Sequence, residues 1–212
     1  MEPAPIENTQ KIQESAREIQ GIGREAVDNT FVWMKKHGLI TAPEQAMATS
    51  DPDRYRSEMD NYLKRTSTQI LESGYTIACA DNVQVMVDLL TAKGEKAECV
   101  DALSDTFLKT GDKQGHMFIE VFVNGEMRPY SPVTGEWCEW QVDNMGRRFI
   151  RWKGEVLGQK FDEKYYFFKR GKSPQEMGYE DVGSMQGIVE DGREKLITEL
   201  ELKIDSNSGK LI

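Results

Sequence analysis

A cysteine and a histidine occupy positions from which each could take part in nucleophilic chemistry. Cys79 follows the turn signal Ser73-Gly74 and opens the segment CADNVQVMVDLLTAKG, and His116 opens the segment HMFIEVFV directly after a glycine. A thiolate nucleophile usually needs a base that takes its proton and later returns it to the leaving group, and histidine is the usual base. The chain has only one other histidine, His37, which falls in the cationic last turn of a predicted helix. Cys79 and His116 are therefore the candidate pair, with a packing thiol and a strand-edge histidine as the alternatives.

The residues after Cys79 predict a helix that begins at the cysteine. Apolar side chains recur at three- and four-residue steps, and Gly94 follows as a stop signal. The unpaired N–H groups and the positive end of the helix dipole at such a first turn favour a thiolate over a thiol. The apolar positions are Ala80, Val83, Val87 and Leu90.

The remaining elements must bring this helix and the histidine together. Helices are predicted over residues 12–19, 25–37 and 52–73, and the first of them has a thin apolar stripe typical of a surface helix or a docking arm. Residues 104–115 are polar and predict a loop, the tail from residue 173 predicts short helices and turns, and 200–204 alternates like a strand. Alternating strands are predicted over residues 96–102, 116–123, 127–130, 147–152 and 165–169, with a hairpin at Asn124-Gly125. Helices followed by antiparallel strands indicate an α+β fold.

Composition excludes several classes of function. The 212 residues include 36 acidic and 27 basic side chains, and the resulting charge of −9 argues against nucleic-acid and anionic-membrane partners. The first residues lack a signal-peptide pattern and no apolar run approaches the length of a membrane span, so we expect a cytoplasmic protein. Neither a CxxC motif nor a calcium-loop pattern occurs, so no metal or cofactor is expected, and Cys99 and Cys138 are interpreted as packing thiols.

Three segments in this order resemble the transglutaminase-like superfamily of papain-fold cysteine enzymes. They are GYTIACADNVQVMVDLLTAKGEKA, GHMFIEVFVNG and PYSPVTGEW. The resemblance implies a transglutaminase-like α+β core, in which an N-terminal helical layer and the nucleophile helix pack on an antiparallel sheet that carries His116 and Ser131. We expect a helical extension over residues 1–49 and this domain over 50–212, or one continuous domain over 1–212.

The resemblance also implies a mechanism. Cys79 attacks an amide carbonyl of a peptide or protein substrate, His116 acts as base and then as acid, and water or an amine resolves the thioester. This covers a cysteine protease-like hydrolase as well as a transamidase. The oxyanion hole would use the Cys79 N–H and a donor from the preceding loop, for which Tyr75 and Thr76 are candidates; each is otherwise a loop-packing residue.

The chain departs from the family at Ser131, where the family has an aspartate that orients the histidine. A hydroxyl can accept a hydrogen bond from the ring but brings no charge. Three interpretations remain open: Ser131 orients His116, another acid such as Glu120 replaces it, or the domain is catalytically impaired and binds a peptide or protein. Glu120 shares a strand face with His116, and its alternative role is an ion pair with a nearby lysine or arginine. A further alternative is a scaffold that docks through its N-terminal stripe.

Overall fold

The computed structural model describes residues 10–39, 51–111, 115–143, 146–156 and 159–200. The helices in these ranges are α1 (Gln10–Glu18), α2 (Gly23–Lys36), α3 (Pro52–Asn61), α4 (Ser67–Ser73), α5 (Cys79–Ala92), α6 (Asp105–Thr110) and α7 (Val182–Glu199). The strands are β1 (Ala97–Ser104), β2 (Gly115–Val123), β3 (Glu126–Ser131), β4 (Glu136–Trp137), β5 (Trp140–Val142), β6 (Arg148–Val156) and β7 (Gln159–Gly171). The architecture is α+β, as the order of the elements predicts.

The strands form one antiparallel sheet in the order β4-β3-β2-β1-β7-β6-β5. The strand that follows α5 is therefore central, between β2 and β7. The hairpin between β2 and β3 turns at Asn124 and Gly125, which both have positive φ. The pairing of β1 with β7 shifts register after Asp101, which marks a β-bulge.

The two faces of the sheet carry different cores. On β2, Met117, Ile119 and Val121 belong to a large apolar core that also contains side chains of α1, α2 and α5. We call this face the helix side. Because side chains alternate along a strand, His116 and Phe118 point to the opposite face, which we call the second face. There Phe118 packs in an aromatic cluster that also includes side chains of β6 and β7.

The helix side explains the apolar stripe of α1. Ile12, Ala16 and Ile19 are buried in the same core as α5 and the sheet. Gln10, Lys11, Glu14 and Arg17 are exposed, so the prediction of a surface helix is confirmed. The alternative of a docking arm is wrong, because the chain itself covers the apolar stripe. No helix in the described ranges is long and apolar enough to cross a membrane.

Three predicted elements differ from the structure. The single helix expected over residues 52–73 is two helices, since Leu63 adopts a left-handed backbone with φ of 68° and Thr66 caps the next helix. The loop expected over residues 104–115 contains α6, whose Phe107 N–H is bound by the Ser104 hydroxyl. Short helices were expected in the tail, whereas α7 is one helix of 18 residues with a capping box at Asp181. The strand-like segment over residues 200–204 lies almost wholly outside the described residues.

Candidate active site

Helix α5 begins at Cys79, as the sequence predicts. Ala78 precedes it in extended conformation and supplies no side-chain cap, and the next N–H in the helix, that of Ala80, donates to the Tyr62 hydroxyl at 3.3 Å. The Cys79 side chain is half-buried and is not in a disulfide. A thiol at this place faces the positive end of the helix dipole, which stabilises its thiolate.

A buried ion pair fixes the loop that leads to the cysteine. Asp81, in the first turn of α5, accepts hydrogen bonds from the Arg65 guanidinium and from the Ile77 N–H, the latter at 2.8 Å. Arg65 also donates to the Ser73 hydroxyl at 3.1 Å and lies over the Tyr75 ring, 4.7 Å from its centroid. Burial raises the pKa of Asp81, although Arg65 and the Ile77 N–H act to lower it. Asp81 thus holds the loop before Cys79 at both ends: at Ile77 directly and at Ser73 through Arg65.

His116 lies in the aromatic cluster of the second face. Its ring stacks on Trp152, with 4.2 Å between centroids and 15° between planes. Phe118 and Tyr165 contact it at their edges, with centroids 4.6 Å and 6.2 Å away. Its Nε2 atom is buried and has no hydrogen-bond partner among the described residues. Burial lowers the pKa of His116 from 6.5 to about 3, so the ring is neutral at pH 7.

The thiol and the histidine lie at the same end of the sheet. Helix α5 packs on β1 and β2 and is joined to β1 by residues 93–96 only, so it must run antiparallel to β1 and place Cys79 near the end of that strand. His116 pairs with Ala102 near the same end, and Tyr165 pairs with Ser104. Burial raises the pKa of Tyr165, and the charges of Glu163 and of a Cys79 thiolate raise it further.

The Tyr165 ring centroid lies 6.2 Å from that of His116, and Tyr165 is near enough to Cys79 for a thiolate there to raise its pKa. No hydrogen bond joins the Cys79 sulfur to the His116 Nε2 in the described residues. The structure brings the cysteine and the histidine to one end of the sheet, with the histidine ring directed to the second face and helix α5 packed on the helix side.

Ser131 ends β3 on the same face as His116, since its neighbour Tyr130 belongs to the core of the helix side. The Ser131 hydroxyl accepts a hydrogen bond from the Thr134 N–H at 3.4 Å, and the Ser131 N–H is bound to the Cys138 sulfur. These bonds hold the turn between β3 and β4. Ser131 brings no charge to His116.

Glu120, the other candidate acid, is an ion-pair partner. Its Oε2 lies 3.2 Å from the Arg170 guanidinium, and its Oε1 accepts a hydrogen bond from the Trp140 indole at 3.1 Å. Burial raises the pKa of Glu120, and Arg170 and Trp140 oppose that effect. Arg170 and Trp140 therefore hold the two carboxyl oxygens of Glu120, and neither oxygen bonds to the His116 Nε2.

The loop candidates have structural partners. The Tyr75 hydroxyl donates to Glu58 and the Thr76 hydroxyl to the Leu39 carbonyl, each at 2.6 Å. Cys99 and Cys138 are buried, and burial raises the pKa of Cys138 to about 12 and that of Cys99 above its ordinary value. Both thiols are therefore protonated at neutral pH.

Sequence reasoning missed a buried acid on the helix side. Asp101 of β1 accepts a hydrogen bond from the Tyr179 hydroxyl at 2.6 Å, and Tyr179 belongs to the core against which Cys79 packs. Alternation along β1 could have indicated the acid, because Asp101 shares a strand face with Ala97 and Cys99, both of which are buried.

A cavity of about 460 Å³ opens beside the aromatic cluster. Trp152, whose ring stacks on His116, forms part of its wall, together with Trp137 and the basic side chains Arg24, Arg151 and Lys153. Glu136 and Glu139 also line it, so the cavity combines aromatic surface with charges of both signs. The described residues contain no group of three side chains that could hold a metal ion.

No protein family model, no curated protein and no solved structure matches this chain. The resemblance to transglutaminase-like enzymes therefore depends on the three sequence segments alone.

Proposed function

We propose that the protein is a cysteine-dependent acyl-transfer enzyme with a transglutaminase-like core, acting on an amide bond of a peptide or protein. One observation carries the proposal. A half-exposed thiol begins a buried helix at the end of the sheet where His116 has a buried ring nitrogen without a partner. A buried polar atom that lacks a hydrogen bond is costly, and such atoms in native proteins are frequently associated with function.

The chemistry follows from these two groups. The Cys79 sulfur attacks the carbonyl carbon, the C–N bond breaks, and the amine leaves with a proton while a thioester forms. His116 is neutral at pH 7, but burial lowers its pKa to about 3, so it accepts the thiol proton and passes it to the amine only after that pKa rises. A thiolate that reaches the ring would raise the pKa of His116, because the opposite charge favours the imidazolium. Water or a second amine then releases the acyl group.

The test is the reactivity of the three thiols in the full chain. We expect iodoacetamide at pH 7 to alkylate Cys79 faster than the thiol of a short unstructured peptide, and to alkylate Cys99 and Cys138 slowly because they are buried. Peptide mapping by mass spectrometry assigns the rates. If Cys79 reacts no faster than the peptide thiol, the proposal is wrong.

A panel of peptide amides with an amine acceptor then tests for turnover. We expect Cys79→Ala to abolish the thioester adduct and all activity, and His116→Gln to slow acylation. Cys138→Ala is the matched control, since it removes a buried thiol and should retain activity. Activity that persists in Cys79→Ala would contradict the assignment of the nucleophile.

A second candidate is a catalytically impaired domain that binds a peptide or protein. It is favoured by Ser131, whose hydroxyl is used in the turn after β3, and by the stacking of His116 on Trp152. The cavity beside Trp152 would then be the binding site. The two candidates differ in one result: a binding module captures the peptide panel equally well in the wild type and in Cys79→Ala and forms no thioester.

A further inference from the structure

We propose that Trp152 is a positioning residue that holds the His116 ring in a resting position, enclosed by aromatic rings, and releases it by moving into the adjacent cavity. This inference rests on the proposed function, because it says what controls the base that Cys79 needs. None of the three resembling segments contains Trp152.

The stacking of His116 on Trp152 depends on the curl of the sheet. Strands β2 and β6 are separated by β1 and β7, so three strand spacings in a flat sheet would place them about 14 Å apart. The centroids of the two rings are nevertheless only 4.2 Å apart, with 15° between the ring planes. Ala102, which pairs with His116 on β1, belongs to the same cluster, and its small side chain leaves room for the indole. The second face is therefore concave, and the indole covers one side of the imidazole.

Two further aromatic rings enclose the imidazole. Phe118 and Tyr165 meet it with their edges, and the centroid of each lies 5.7 Å from that of Trp152. Only 8% of His116 and 6% of Trp152 is exposed. The Nε2 atom of His116 has no hydrogen-bond partner among the described residues. A general base needs its proton donor within hydrogen-bond reach, so the enclosed ring is in a resting position.

Burial weakens His116 as a base. It lowers the pKa of the imidazole from 6.5 to about 3. The titratable groups of the same face are Tyr165, which is neutral at pH 7 because burial raises its pKa, and Glu120, whose oxygens are bound in an ion pair and a hydrogen bond. Ala102 on β1 and Trp152 on β6 carry no charge. Access of water to the ring is therefore the change that would restore its basicity.

The cavity of about 460 Å³ gives the indole a place to move. Trp152 forms part of its wall, so this side chain borders both the histidine and the cavity. Rotation of the indole into the cavity would uncover the imidazole and let water reach it, which raises its pKa. The S–H bond of Cys79 then breaks as an N–H bond forms at the His116 Nε2, and the products are a thiolate and an imidazolium.

The first measurement is the pKa of His116 in the full chain, followed by NMR of the imidazole C–H signals. His37 is the other histidine of the chain, so His37→Gln leaves a single titrating ring. We expect a pKa of about 3 in this background. Trp152→Leu keeps the site apolar, removes the stacked ring and enlarges the cavity, so the pKa should rise by about one pH unit or more.

The second measurement is the rate of Cys79 alkylation by iodoacetamide at pH 7. Each pH unit gained in the pKa of His116 increases the population of the thiolate–imidazolium pair about tenfold, so Trp152→Leu should react faster than the wild type by a similar factor. The released ring is a minor state in the wild type, so His116→Gln should slow alkylation more in Trp152→Leu than in the wild type. General loosening of the fold would instead speed alkylation whether or not the histidine is present.

Trp137→Leu is the matched control. Trp137 lines the same cavity, but its ring packs against Tyr130, which belongs to the core of the helix side. We expect this variant to keep the wild-type pKa of His116 and the wild-type rate. Trp152→Phe changes the packing less than Trp152→Leu, and its pKa and rate should lie between those of the wild type and Trp152→Leu. Circular dichroism and thermal unfolding show whether each variant is folded.

Three outcomes overturn the role of Trp152: a wild-type His116 that titrates near 6.5, a pKa that neither Trp152 variant changes, or a pKa that rises without faster reaction of Cys79. Failure of the proposed function is a separate result, because the helix N-terminus acts on Cys79 in the wild type as well. If wild-type Cys79 reacts no faster than a peptide thiol, the enzyme proposal itself fails. If it reacts faster and Trp152→Leu has no effect, only the role of Trp152 is wrong.

Discussion

Replacement of Arg65 by methionine tests how the chain positions the cysteine. The exposed fractions of the Arg65 and Asp81 side chains are 11% and 1%, so their ion pair is buried. Methionine keeps the unbranched stem and removes the charge, which leaves the Asp81 carboxylate with the Ile77 N–H as a remaining donor. Removal of one partner from a buried ion pair costs about 3–5 kcal/mol. We expect a loss of that size in the free energy of unfolding at pH 7.

The loss should depend on pH in a defined direction. Burial already raises the pKa of Asp81 above 3.8, and without Arg65 the pKa should rise further. Between the unfolded and folded pKa values, the folded protein then holds a proton that the unfolded chain has released. Stability therefore falls as the pH rises through this window, and the deficit of Arg65→Met should be larger at pH 7 than at pH 5.

Urea unfolding followed by tryptophan fluorescence at pH 7 and pH 5 measures both effects. Arg128→Met is the matched control, because its ion pair with Glu126 is exposed and such pairs contribute about 0–1 kcal/mol. The double variant with Asp81→Asn should recover part of the loss, since no buried charge remains. The reasoning is refuted if Arg65→Met and Arg128→Met differ by less than about 1 kcal/mol, the lower end of the effect of one unsatisfied buried group.

Two other predictions concern stability. The pKa of His116 is lowered to about 3 in the folded protein, so acidification from pH 6.5 should destabilise the wild type by up to about 1.4 kcal/mol per pH unit. His116→Phe should reduce that slope in urea unfolding between pH 4 and 7, and an unchanged slope would contradict the burial argument. Gly135→Ala should lower stability by about 1–2 kcal/mol for its left-handed backbone and by a further ~1–3 kcal/mol because a Cβ would overlap the Phe31 ring. Gly125→Ala has the same backbone requirement and open space, so thermal unfolding should show only the smaller loss; equal losses would exclude the overlap.

The elements that the sequence predicts correctly have local signals. Helix α5 has an apolar period and a glycine stop, and the β2–β3 hairpin has an Asn-Gly turn, so short segments determine both. The break after α3 has no such signal. Leu63 adopts positive φ, which a leucine rarely does, and its buried side chain shows that tertiary packing sets that conformation.

The site is less predictable because its contacts are distant in sequence. Trp152 stacks on His116 only because β7 pairs with β1 and β6 with β7, an order that the sequence pattern does not specify. Tyr179 and Asp101 are 78 residues apart and meet because the chain after β7 returns over the helix side. Hydrophobic periodicity and turn residues describe neighbours along the chain, so they do not indicate which of these distant residues come into contact.

The surroundings of His116 have the same origin and matter most for function. One face of β2 is wholly apolar, whereas His116 shares its face with Glu120, so alternation along the strand indicates which face meets the helices but not what packs against the histidine. The structure packs Met117 and Ile119 against the helices and leaves His116 to the aromatic cluster. The thiol of Cys79 thus lies at the end of a sheet with a neutral imidazole on one face and a Tyr179–Asp101 pair on the other. The pH profile of Cys79 alkylation in His116→Gln therefore tests whether this imidazole is the base: a profile equal to that of the wild type would exclude it.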